Sequence, residues 1–111
     1  MAKLAIVVTL AAAVSLGAQP RRAAGDEVPT LDIRTNCRTH TPPDQTGDTE
    51  RACLAGEQNA RESLAKEWTH YAAQDKARCT RMVTSIAGFE SYVELYACLR
   101  AAEVVKGLPK D

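Results

Sequence analysis

The sequence predicts a small all-α domain stapled by two disulfides. Three observations carry that expectation. Apolar residues recur at helical spacing in three segments. Four cysteines occur in a chain of 111 residues that opens with an export-type leader. The one alternating stretch, Leu31-Asp32-Ile33, is too short to make a strand. A chain of this length holds one small domain.

Residues 1–25 read as a signal peptide. Lys3 supplies the single early cation, and Leu4 to Val14 is apolar apart from Thr9. Small residues follow, at Ser15-Leu16-Gly17 and at Ala23-Ala24-Gly25, as signal peptidase requires. The apolar run is shorter than the roughly 20 residues that span a bilayer, so no membrane span is expected once the leader is removed. Cleavage after Gly25 takes away Lys3, Arg21 and Arg22, leaving 14 − 3 = 11 cations against 14 acids, a net charge of −3. An even number of cysteines in a short exported chain signals a disulfide framework. The expected location is the periplasm or the medium.

Residues 26–47 are expected to form an extended arm and loop. Pro29, Pro42, Pro43 and Gly47 punctuate an aperiodic stretch, and Pro42-Pro43-Asp44 cannot continue a helix. Residues 48–111 form the helical domain. Its first helix runs from Asp48 or Thr49, both good N-cap types, to about Ala72. Cys53, Ala60, Leu64, Trp68 and Tyr71 share one stripe, with Glu57 as its charged interruption. Glu57→Arg61 and Glu62→Lys66 read as i,i+4 pairs on the outer face. A second helix starts near Gln74-Asp75, with a stripe of Cys79, Met82, Val83 and Ile86, and Gly88 ends it. A third begins at Ser91-Tyr92-Val93-Glu94, a capping box. Its stripe is Leu95, Cys98, Leu99, Ala102 and Val105, and Gly107 with Pro109 stops it.

Helix geometry selects the disulfides among three connectivities. Cys79 and Cys98 flank the Gly88 turn almost symmetrically, so an antiparallel hairpin brings them level. Cys53 lies about 21 Å lower along the first helix, at ~1.5 Å per residue. A disulfide needs Cα atoms within about 7 Å. That leaves Cys37–Cys53 and Cys79–Cys98. Each closes a loop whose lost entropy is worth about 3 kcal/mol. Small domains lean on such staples because they bury a modest core.

The composition excludes several functions. Lys+Arg and Asp+Glu both number 14, so no cationic surplus exists to displace counterions from nucleic acid. Cys37-Arg38-Thr39-His40 is a Cys-x-x-His pair to which Cys53 could be added, but structural zinc needs a second ligand pair. Asp44, Asp48 and Glu50 lack the alternating spacing of a calcium loop. No Cys-x-x-Cys occurs for redox chemistry. Ser63, Ser85 and Ser91 lack a nucleophile context, and Ser91 is already used as a cap. His70 reads as a surface or boundary residue. Trp68, Tyr71, Tyr92 and Tyr96 read as core or boundary residues, the alternative being an exposed aromatic patch. The expectation is a non-catalytic protein without metal or cofactor, whose partner is a protein or an envelope ligand.

The residues Cys53-Leu54-x-x-Glu57-Gln58-x-Ala60-Arg61-x-x-Leu64-x-x-x-Trp68, Asp75-Lys76-x-x-Cys79 and Ser91-Tyr92-Val93-Glu94-Leu95-x-x-Cys98-Leu99 resemble a group of small exported proteins of rhizobia and related alphaproteobacteria. The resemblance spans about half the chain and implies export, without implying an activity. Trp68-Thr69-His70-Tyr71, Cys79 and Cys98-Leu99 are also similar to the N-terminal domain of LprI-type lysozyme inhibitors. The Arg-Asp step usual after the tyrosine is absent, and the cysteine comes later. That resemblance implies, as an alternative, inhibition of a peptidoglycan-cleaving enzyme, and carries over no inhibitory residue.

Overall fold

The structure is a computed structural model that describes residues 27–45 and 47–109. The signal peptide expected at 1–25 lies outside the described residues. The elements are α1 (Ile33–Thr39), α2 (Asp48–Glu67) with a single 3₁₀ turn at Trp68–His70, α3 (Ala73–Thr84) and α4 (Tyr92–Lys106). The class is all-α, and both staples, Cys37–Cys53 and Cys79–Cys98, are formed, with Cα atoms 5.7 and 5.8 Å apart.

The arm is not wholly extended. Residues 33–39 form α1, which corrects the expectation of three helices to four among the described residues. Asp32 caps it, accepting from the Thr35 backbone N–H at 3.1 Å and the Thr35 hydroxyl at 2.6 Å. Ile33, Asn36 and Cys37 are its buried residues, a single i, i+3, i+4 turn. Seven residues are too few to hold a helix alone. Packing against α2 and the bond to Cys53 hold it. The segment before α1 is pinned by side chains of the α3–α4 region. The Tyr92 hydroxyl donates to the Pro29 carbonyl at 2.8 Å and accepts from the Leu31 N–H at 3.0 Å. Glu90 accepts from the Asp32 N–H at 2.6 Å. Leu31 and Ile33 thereby join the core with Leu64, Trp68, Tyr71, Val83, Leu95 and Leu99.

Glu57 of α2 meets the first turn of α4, Arg61 lies over the Tyr92 ring, and Tyr71 neighbours Tyr96 and Arg100. The two helices therefore run in the same direction. α3 runs back against α4: Asp75 at its start pairs with Lys106 at the end of α4, and the chain reverses at Gly88. Gly88 has φ +84°, a conformation that suits only glycine. α4 packs against both α2 and α3, while α2 and α3 hardly touch. The exclusion of Cys53–Cys98 survives on this different register. Cys53 lies one turn below the level of Tyr92 and Cys98 nearly two turns above it, about 15 Å apart along the axis.

Three further expectations are corrected. Glu57 does not lie on the outer face with Arg61; it is 4% exposed and turned onto α4. Met82 and Ile86 are each 60% exposed, because among the described residues no helix faces the far side of α3, and Ile86 lies past its end at Thr84. Val105 is exposed as well. The buried face of α4 passes from Leu95, Leu99 and Ala102 to Lys106, which reaches Asp75, and Val105 points away.

Candidate functional site

The expected chemistry-bearing residues do not converge. Cys37 and Cys53 are bonded to each other, so neither is a thiolate for metal. Among the described residues no group of three or more His, Cys, Asp or Glu is placed to hold a metal ion. His40 turns its Nδ1 to the Asn36 carbonyl at 2.8 Å. In the first turn of α2 Asp48 pairs with Arg51 and Glu50 lies 3.6 Å from Arg38, while Asp44 in the loop before it is exposed. His70 is exposed. Trp68, Tyr71 and Tyr92 are core residues and Tyr96 packs beside them.

Two ionisable clusters do form, and both tie helices together. Glu57 takes three donors at the open start of α4. Its Oε1 accepts from the Ser91 hydroxyl at 2.6 Å, and its Oε2 accepts from the backbone N–H groups of Tyr92 at 2.6 Å and Val93 at 3.3 Å. Ser91 Oγ in turn accepts from the Glu94 N–H at 3.2 Å, the expected cap. An anion at a helix N-terminus is favoured by the helix dipole. At the other end of the hairpin Asp75 is buried between Lys106 and Arg78. The hydrogen bond from Lys106 holds the Asp75 carboxyl below the usual carboxylate range, and the same bond raises Lys106. Burial, then the hydrogen bond to Glu67 at 2.6 Å, pushes the Tyr71 hydroxyl up. Each of these groups is committed to packing.

The open surface lies around the α3–α4 turn. Met82 on α3, Ile86 and Phe89 in the turn and Val93 on α4 are all about half exposed or more. Phe89 is fixed in place by an edge-to-face contact with His40, ring centroids 5.1 Å apart. On one side of Phe89 a groove of about 240 Å³ is lined by Met82, Val83, Ile86, Glu94 and Cys98. On the other a groove of about 540 Å³ runs over Ala52 and Gly56 of α2, with Val93 and Glu94 as its wall. Phe89 and Glu94 belong to both, so the grooves are two halves of one surface. A Cβ at Gly56 would meet nothing within 4 Å, which leaves that floor open. Sequence periodicity assigns Met82 and Ile86 to the core, since a stripe shows amphipathicity without showing whether a neighbour covers it.

No family model, no curated protein and no solved structure matches this chain.

Proposed function

We propose that this chain is an exported, non-catalytic binding protein of the cell envelope or its surroundings. The single observation behind the reading is the apolar surface of Met82, Ile86, Phe89 and Val93, held on a hairpin that the Cys79–Cys98 bond locks. Exposed apolar residues in a contiguous patch mark contact sites. The two disulfides support an oxidising location, and the Lys3–Gly25 leader pattern supports export. Among the described residues no helix is long and apolar enough to cross a membrane.

The test is expression of the full chain in an exporting bacterium, with a photo-crosslinking residue in place of Ile86. The expected result is an oxidised product lacking its leader outside the cytoplasm, and a crosslinked partner lost when Phe89→Ser is added. Four free thiols, or a full-length cytoplasmic product, overturns the reading.

The alternative is an inhibitor of a peptidoglycan-cleaving enzyme. Trp68, Tyr71 and Cys79 gather in one core with Leu99 beside Cys98, so the residues behind the LprI-type resemblance act as scaffold. An inhibitory surface would have to lie elsewhere. A lysozyme protection assay tests this: no inhibition at micromolar protein retires it.

A further inference from the structure

Resting on that binding reading, we propose that the Phe89 surface docks a cationic amphipathic segment of a partner protein: apolar side chains spaced along one face, with Lys or Arg beside them.

The apolar half of the argument is the character of the surface. Met82 and Phe89 make an adaptable apolar floor, and apolar grooves accept amphipathic helical segments whose anchors recur every three or four residues. Met82 lies in the last turn of α3 and Ile86 two residues past its end at Thr84, so the two apolar side chains flank the exit of the helix. Phe89 continues the apolar surface across the turn, and Val93 carries it onto α4.

The electrostatic half comes from comparing the grooves. Neither half of the Phe89 surface is lined by any Lys or Arg, and their shared exposed charge is the Glu94 carboxylate. The larger half also touches His40 and Glu57, but Glu57 is buried and already paired with the start of α4, so it adds no free charge. The grooves on the opposite side of α2 mix both signs: one is lined by Arg34 and Arg61 with Asp32, the other by Arg61 with Glu27 and Glu62. Among the described residues, apolar exposure, an exposed carboxylate and a lining without Lys or Arg thus coincide at one place, and complementarity selects a partner carrying cations.

A second copy of this chain is the competing occupant. Glu94 sits where the two grooves meet. A two-fold contact centred there sets one Glu94 beside the other, a like-charge juxtaposition that disfavours self-association.

The experiment uses the oxidised chain purified from the exporting host and three fluorescent probes. One is a 14-residue helix of leucine and lysine with leucines at i, i+3, i+4 and i+7. The second replaces each lysine with glutamate, and the third scrambles the leucine spacing. The expected result is saturable binding of the lysine helix, with the glutamate and scrambled probes at least tenfold weaker. Phe89→Ser and Met82→Gln each weaken the lysine helix at least tenfold. Glu94→Gln weakens it three- to tenfold and flattens its salt dependence. Val104→Ser with Val105→Ser, a change to exposed apolar residues at the far end of α4, leaves it within twofold. Absence of binding by the lysine helix overturns the proposal. So does equal binding of the lysine and glutamate probes, or equal sensitivity to the Val104 and Val105 changes. A dimer in sedimentation that Phe89→Ser dissolves overturns it in favour of self-association. If the Ile86 crosslink identifies a partner through an acidic or neutral segment, this proposal fails while the binding reading stands. If neither crosslink nor probe engages the surface, both fail.

Discussion

Glu57 is the residue whose replacement separates the sequence reading from the structural one. On an outer helix face, Glu57→Ala would lose one exposed i,i+4 pair, worth about 0.2–0.5 kcal/mol. In the structure it removes the acceptor of the Ser91 hydroxyl and of the Tyr92 and Val93 amides. Ser91 and Tyr92 are buried, so their donors are left without water. An orphaned buried donor costs about 1–3 kcal/mol, and losing an anion at a helix start adds about 0.3–1 kcal/mol. The expected loss is about 3–4 kcal/mol. For a domain of this size each kcal/mol lowers Tm by about 4–8 °C, so Tm should fall by at least 12 °C. Glu57→Gln keeps one acceptor oxygen for the amides, and its NH₂ can donate to Ser91 Oγ. It isolates the charge and should cost only about 1 kcal/mol. The assay is thermal and urea unfolding followed by circular dichroism at neutral pH, with both disulfides verified by mass. Exchange of the Tyr92 and Val93 amides should speed up in the alanine variant. A Glu57→Ala protein within about 0.5 kcal/mol of the parent, or a glutamine variant as unstable as the alanine one, refutes the reasoning.

Three other outcomes follow from the same contacts. Tyr92→Phe deletes the hydroxyl that bridges Pro29 and Leu31; it should cost about 1–2 kcal/mol and release the Leu31 amide to exchange, and unchanged protection there contradicts the assignment. Removing Cys37 and Cys53 together should loosen α1, which packs on α2, and open residues 33–47 to protease while α2–α4 stay folded. Removing Cys79 and Cys98 should instead lower global stability by about 3 kcal/mol; equal proteolytic patterns for the two pairs would show that the staples are not local and global in this way. For pH, Asp75 is depressed below its ordinary 3.8, so its contribution is present above that value and is lost as pH falls through its folded value. Lys106 is raised above its ordinary 10.5, so its contribution is present below 10.5 and is lost as pH rises through its folded value. Stability should be flat between, and Lys106→Met should shrink both limbs in pH-dependent unfolding; unchanged limbs exclude the pair as their source.

Where the pattern was local, the sequence held the answer. The Ser91 cap, the positive-φ turn at Gly88 and the four cysteines each act within a few residues or through helix register. The all-α class and both disulfides were legible for that reason. The short α1 was partly legible: Asp32 with Thr35, then Ile33, Asn36 and Cys37, make a cap and one buried turn. The prolines around it masked the signal, and seven residues make too few repeats for periodicity to speak. Its stability comes from Cys53, which lies 16 residues further along the chain.

The sequence by itself determined which residues could face inward on α2, α3 and α4, the Ser91 cap that starts α4 and which sulfurs could meet, whereas α2 stops at Glu67 rather than near Ala72 and α3 at Thr84, four residues before Gly88. Tertiary structure alone decided which inward-capable faces were covered. α4 lies between α2 and α3, so its stripe is buried from two sides, while among the described residues α3 meets one neighbouring helix, which leaves Met82 and, just past its end, Ile86 in the open. It also gave Glu57 its place, since a carboxylate on an apolar stripe is stable only where another helix presents unpaired amides to it. Helical periodicity is a property of one segment, and burial is a property of the space between segments.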